Sequence, residues 1–204
     1  MSEPGIDEDF NGAAPDARLQ WWNAPARAEV RDSLLTVVTR GGTDFWQRTH
    51  YGFRRDDGHC LLYEWSGGDF VLTTSVRSHP AHQYDQAGLI VRFSADCWLK
   101  TSIEYEPDGP NRLGVVVTNA GWSDWSTQDV RHTLLAIRLR IRRQGGDYFV
   151  ESAPAESADG AWSQLRLAHL EDDGGRPVPC GLYACSPKAD GFVAEFDYLR
   201  LESS

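Results

Sequence analysis

The 204-residue sequence predicts an all-β fold, a two-sheet antiparallel sandwich, on three observations. Short apolar runs recur along the chain with a period of two. Gly, Pro, Asn and Asp break those runs at hairpin spacing, and no stretch carries the periodicity of a long amphipathic helix. Roughly ten strands joined by tight turns can bury their apolar faces only by packing as two sheets around one core.

Residues 1–17 are acidic and rich in Gly, Pro and Ala, and read as a flexible leader ahead of one domain spanning 18–204. Leu19-Gln20-Trp21-Trp22-Asn23 opens the ordered part. Residues 34–39 form a β-type run stopped by Gly41-Gly42, and residues 60–65 one stopped by Gly67-Gly68. Residues 70–77 alternate, with Phe70, Leu72, Thr74 and Val76 on one face, and the run ends near Pro80. Two further runs cover 86–92 and 98–105, and 113–118 is almost continuously apolar. Leu135, Ile137, Leu139 and Ile141 then alternate with Ala136, Arg138, Arg140 and Arg142. Runs at 148–151, 162–168, 179–185 and 192–201 complete the series. The alternation commits Leu72, Val76, Leu89, Val91, Leu99 and Ile103 to the core, with Val115, Val117, Ile137, Leu139 and Ile141.

Bulk chemistry narrows the partners. A formal net charge of −10 opposes nucleic acid or an anionic membrane as the main partner, since both need a basic footprint. The sequence shows no secretory apolar run and no membrane-spanning stretch, so the expected location is cytoplasmic. Cys60, Cys97, Cys180 and Cys185 contain no Cys-x-x-Cys pair and read as free buried thiols, with no metal site expected. Phosphate loops, dinucleotide fingerprints and nucleophile elbows do not occur, and no cofactor is expected.

The runs at 86–92 and 98–105 separate two side-chain classes onto opposite faces of a sheet. Ala87, Leu89, Val91, Leu99, Thr101, Ile103 and Tyr105 share one face. Gln86, Arg92, Trp98, Lys100, Ser102 and Glu104 share the other, with Ile90 the apolar exception. Lys100 stands out because the chain has 20 basic residues, of which only Lys100 and Lys188 are lysines. A lysine in mid-strand, where arginine is the default, indicates a need for a compact ammonium. If Arg92 pairs with Trp98 across the short 93–97 loop, the even-numbered positions of both strands face one another. A lysine desolvated beside Arg92 would have its pKa lowered toward the range of a general base.

A second cluster, Asp44, Trp46, His50 and Tyr51, sits at a turn-like position, and His50 is the histidine best placed to move a proton. Trp122-Ser123-Asp124-Trp125-Ser126 also reads as a loop, where indole faces could stack on sugar rings with Asp124 accepting hydroxyl hydrogen bonds, or could instead bury loop edges.

Thr43-Asp44-Phe45-Trp46, Thr49-His50-Tyr51-Gly52, Tyr84-Asp85-Gln86-Ala87-Gly88, Trp98-Leu99-Lys100, Ser123-Asp124-Trp125-Ser126 and Tyr183-Ala184-Cys185-Ser186-Pro187 occur in this order. The series resembles a largely uncharacterised domain family grouped with the "regulation of enolase" proteins, within the concanavalin A-like lectin/glucanase superfamily. The resemblance runs from about Trp21 to Leu201 and implies a curved jelly-roll sandwich with a site on its concave sheet. The glucanases of the superfamily place paired carboxylates on a Glu-x-Asp-x-x-Glu strand. The nearest match here is Glu195-Phe196-Asp197, with Arg200 where the last acid belongs, so hydrolysis by that route is not expected.

The functional expectation is binding of a carbohydrate or sugar-like polar metabolite on the concave sheet. Trp46, Trp98, Trp122 and Trp125 would stack, and Asp85, Gln86, Arg92, Lys100, Glu104 and Asp124 would hold polar groups. Two alternatives stand beside it. One is an isomerase, lyase or cyclase with Lys100 or His50 as base and Glu104 or Asp124 as acid. The other is a regulatory partner of a metabolic enzyme.

Overall fold

The alternating runs pair into two antiparallel sheets in the computed structural model, which describes residues 5–157, 161–171 and 177–204. In chain order the strands are β1 (Ile6–Glu8), β2 (Gln20–Trp22), β3 (Arg27–Arg31), β4 (Leu34–Val38), β5 (Phe45–Gln47), β6 (Arg54–Asp56), β7 (His59–Trp65) and β8 (Phe70–His79). They continue with β9 (Gln86–Ser94), β10 (Cys97–Glu104), β11 (Asn111–Asn119), β12 (Trp122–Val130), β13 (Ala136–Gln144), β14 (Asp147–Pro154), β15 (Ser163–His169), β16 (Val178–Cys185) and β17 (Val193–Ser203). The eight-stranded sheet runs β15-β14-β13-β8-β17-β4-β3, with β1 beside β17, and the seven-stranded sheet runs β12-β11-β10-β9-β16-β7-β2. Strands β5 and β6 form a separate hairpin.

The main core fills the space between the two large sheets, and every residue that the alternation assigned to it is buried there, from Leu72 and Leu89 to Ile141. The register of β9 and β10 is the one that places the mixed set on a single face. Arg92 pairs with Trp98, Ile90 with Lys100, and Gln86 with Glu104. At the turn Cys97 pairs with Ser94, so Phe93 is an extra residue absorbed as a bulge.

A second apolar cluster lies on the outward face of the seven-stranded sheet, where Ile90, Trp98, Val116 and Tyr183 are covered by Phe45 and Trp46 of the hairpin. Ile90 is thus no exception, because half of this face is itself a core. All four cysteines are free and buried, Cys60 and Cys185 in this second cluster.

Two expectations about organisation are corrected. Residues 6–8 of the supposed leader pair with β17, Ile6 opposite Leu201 and Glu8 opposite Leu199, and Phe10 is wholly buried. The Glu8 carboxylate fixes the following turn by accepting the N–H groups of Phe10 and Asp16, each at 2.6 Å. Two isolated apolar side chains in a Gly- and Pro-rich segment are enough to dock it. Residues 122–130, read as beginning in a loop, are the edge strand β12. An edge strand exposed along most of its length carries little apolar alternation to reveal it.

Candidate functional site

The outward face of the seven-stranded sheet, beyond the second cluster, borders a cavity of about 670 Å³. Lys100 and Glu104 of β10 and Val116 of β11 line it from the sheet. Trp46, Tyr51 and Phe53 line it from the hairpin, and Trp125 from β12. Tyr84 and Lys188 line it from two connecting segments. The aromatic side is continuous, since the Trp46 ring meets Tyr51 at 5.3 Å and Trp125 at 6.4 Å, and Tyr51 stacks on Phe53 at 6.1 Å. Gly114 of β11 makes room for Trp125, because a Cβ there would lie 3.0 Å from the indole nitrogen.

Lys100 is 4% exposed, and its Nζ lies 3.2 Å from Asp44 Oδ1. The ammonium sits among three rings, 5.7 Å from Tyr183, 5.8 Å from Trp98 and 5.9 Å from Phe45. A compact cation fits this well and gains from the ring faces. Burial opposes its charge, but Asp44, followed by Cys185 and Glu104, outweighs that, and the pKa lies above the ordinary lysine value. The expected lowering toward a general base is therefore overturned. Arg92, whose charge was to produce it, is engaged elsewhere.

Glu104 behaves in the opposite way. Burial pushes its carboxyl up to about 8, against the pull of Lys100, while Asp44 and Glu106 add to the rise. Arg112 pairs with Glu104 across the strands but forms an ion pair with Asp129. Gln86 Nε2 donates to Glu104 Oε2 at 2.7 Å, and Tyr183 donates its hydroxyl to Gln86 Oε1 at 3.1 Å. The second bond fixes the orientation of the Gln86 amide, so Oε2 is occupied as an acceptor and a proton on Glu104 resides on Oε1. A carboxyl that titrates near neutrality beside a permanent cation can donate or accept a proton.

Of the residues named from sequence, Asp44, Trp46, Tyr51, Lys100, Glu104 and Trp125 share the cavity, and Gln86 borders a small recess off it with Lys100, Glu104 and Trp125. The others lie apart. Arg92 is held by Asp56 through Nε at 3.2 Å and Nη2 at 2.6 Å, with Trp22 stacked 3.9 Å beneath. Trp98 is fully buried and donates its Nε1 to the Ala95 carbonyl at 3.1 Å, so it cannot stack on a ligand. His50 is exposed in the turn between β5 and β6, with a left-handed backbone (φ 60°) and its ring against Tyr51. Asp85 is buried and accepts the N–H groups of Ala81 and His82 at 2.9 and 2.8 Å, together with the Ser186 hydroxyl. It anchors the segments that carry Tyr84 and Lys188. Trp122 is exposed under the Arg48 guanidinium, and Asp124 pairs with Arg166 of the eight-stranded sheet. Because β12 is a strand, Asp124 and Trp125 point to opposite faces.

Phe53, Arg55, Tyr84, Glu106, Arg112, Val116 and Lys188 also line the cavity without having been named as site residues from sequence. Of these, Lys188 carried a signal in the rarity of lysine, and Tyr84 in its place in the Tyr84-Asp85-Gln86-Ala87-Gly88 series. Among the described residues no group of three or more His, Cys, Asp or Glu could hold a metal ion. Glu195 and Asp197 lie on β17 of the other sheet, bound to His79 and Ser75, which places the glucanase-like acids away from the cavity.

Residues 21–204 match the family described as "Protein of unknown function (DUF1349)". A relative named "Regulation of enolase protein 1", from Saccharomyces cerevisiae, is 35% identical over 176 residues, 86% of this chain and 85% of the relative. A crystal structure of a functionally unknown protein from the same organism superposes with a TM-score of 0.82 at 32% identity, over 92% of this chain and 97% of that one. The GH43 protein BlXynB of Bacillus licheniformis superposes with a TM-score of 0.75 at 14% identity, over 97% of this chain but 39% of that one, a likeness of fold alone.

Proposed function

We propose that this chain, which belongs to the DUF1349 family, binds a carbohydrate or sugar-like polar metabolite in the cavity on its seven-stranded sheet, without glucanase-type hydrolysis. One observation carries the reading: a wall of Trp46, Tyr51, Phe53 and Trp125 faces polar groups on the sheet, Lys100 and Glu104. Ring faces suit the C–H faces of a pyranose, and the polar groups supply the few directional contacts that fix a small ligand. Titration of a saccharide panel with tryptophan fluorescence as readout tests it. Binding in the millimolar range or tighter is expected, and Trp125→Ala weakens it about tenfold. Arg27→Ala, on the far edge strand β3, leaves it unchanged. A panel that is silent at millimolar concentration, by fluorescence and by thermal shift, removes the reading.

A second reading, a regulatory partner of a metabolic enzyme, is favoured by the name of the yeast relative. Enolase activity measured with and without a molar excess of this chain tests it, and an unchanged rate counts against it.

A further inference from the structure

Both lysines of a chain with 20 basic residues line the same cavity, one on the sheet and one on a connecting segment. Lys100 has three N–H donors, and the structure gives it one hydrogen bond, to Asp44. Its other two donors belong to a side chain that is 4% exposed and borders the cavity, where an unmet donor is costly. Lys188 is exposed, lies 5.1 Å over the Tyr84 ring and has no carboxylate partner among the described residues. The two arginines of the lining each pair with a carboxylate outside it, Arg55 with Asp57 and Arg112 with Asp129. Of the lining acids, Asp44 is committed to Lys100, and Glu106 accepts from Gln83 Nε2 at 2.7 Å.

We propose that the ligand of this cavity carries an anionic group, a carboxylate or a phosphate on a polyol frame, received by the ammonium groups of Lys100 and Lys188. This rests on the sugar-binding reading above and narrows it. The geometry of Glu104 agrees with it: Oε2 accepts from Gln86, so the protonated carboxyl presents its O–H from Oε1 as a third donor. Burial keeps that proton in place near neutrality, which spares an incoming anion a like charge. A neutral sugar offers Lys100 only uncharged hydroxyl acceptors, whereas an anion offers a charged one. An anion meets two ammonium groups and a carboxylic acid as donors, while the lining carboxylates Asp44 and Glu106 are held by Lys100 and Gln83.

The test is isothermal titration of the full chain at pH 7 with glucose, gluconate, glucose 6-phosphate, acetate and inorganic phosphate. The expected result is that gluconate or glucose 6-phosphate binds at least about tenfold more tightly than glucose. The better of the two identifies the anionic group. Lys188→Ala, an exposed change that leaves the fold intact, should cost that ligand about tenfold and glucose nothing. Glucose binding as tightly as both charged sugars, or a preference undiminished in Lys188→Ala, overturns the anion proposal and leaves the sugar reading standing. Acetate or phosphate binding as tightly as its sugar counterpart keeps the anion site and overturns the sugar reading. Silence from all five compounds at millimolar concentration overturns both.

Discussion

Two ion pairs fasten the β5–β6 hairpin to the seven-stranded sheet, Arg92 with Asp56 and Lys100 with Asp44. The carboxylates sit at the base of the hairpin, and both cations rise from the same face of neighbouring strands. Their donor use differs. Arg92 places two nitrogens on the two Asp56 oxygens and its plane on Trp22, so the pair closes on itself. Lys100 makes one bond to Asp44 and borders the cavity with donors to spare. The arginine pair is a clamp and the lysine pair is a receptor, and the residue types match those roles.

Removing the clamp has the largest expected effect. Arg92→Ala leaves Asp56 without its counter-ion on a mostly buried face and opens the ring packing around Trp22. Urea unfolding should show a loss of ~3 kcal/mol. A loss of stability with ligand affinity unchanged for the folded fraction is the expected pattern. The reverse pattern, full stability with lost binding, would put Arg92 in the site after all. Exchanging the lysine comes next. Lys100→Arg forces a larger planar group among Phe45, Trp98 and Tyr183, and overpacking of this kind costs ~2 kcal/mol while also closing the cavity from below. A Lys100→Arg variant that binds as tightly as the parent would show that any cation serves. The complementary exchange is milder: Arg92→Lys loses one of two hydrogen bonds and the stacking on Trp22, for about 1 kcal/mol by the same unfolding measurement. A larger loss than in Arg92→Ala would contradict the clamp.

The sequence made this face visible but not its division into two halves. Alternation in β9 and β10, with a short loop between them, was sufficient to pair Arg92 with Trp98 and Gln86 with Glu104, because a slip of one residue would have buried charges. What alternation cannot show is which part of a face another element covers. Phe45 lies far from Trp98 in sequence, yet it packs on the Trp98 ring and, with Trp46, buries it and Ile90 in one cluster. Asp44 and Lys100 were separate clusters in sequence, and only the hairpin brings them together. Trp125 and Asp124 were read as one unit because a polar edge strand looks like a loop, and the strand sends them to opposite sides. The docking of Phe10 was hidden for a simpler reason, since one aromatic in an acidic, Gly- and Pro-rich segment sets no period.

The smallest expected effect separates receptor from clamp by titration. Glu104 shares the cavity with Lys100 and faces Asp44, Glu106, Gln86 and Arg112, whereas the acid beside Arg92 is its own ion-pair partner, Asp56. Its carboxyl is raised from 4.5 to about 8 in the fold, so the folded state holds a proton that the unfolded chain has released across that interval. Stability from this group is complete below pH 4.5 and declines as pH rises toward 8. Because Glu104 keeps some contact with solvent through the cavity, screening reduces the change to about 1 kcal/mol. His59 works in the opposite sense, since burial holds its pKa below the ordinary value and its share of stability is lost as pH falls below about 6.5. The two are separated by subtraction. Glu104→Gln keeps an acceptor for Gln86 and cannot ionise, so the stability of the parent minus that of the variant, measured by urea unfolding from about pH 5 to about pH 8, isolates Glu104. That difference should fall as pH rises. A flat difference would mean that the carboxyl is ionised throughout, in which case the cavity presents a carboxylate beside Lys100 and an incoming anion would be repelled.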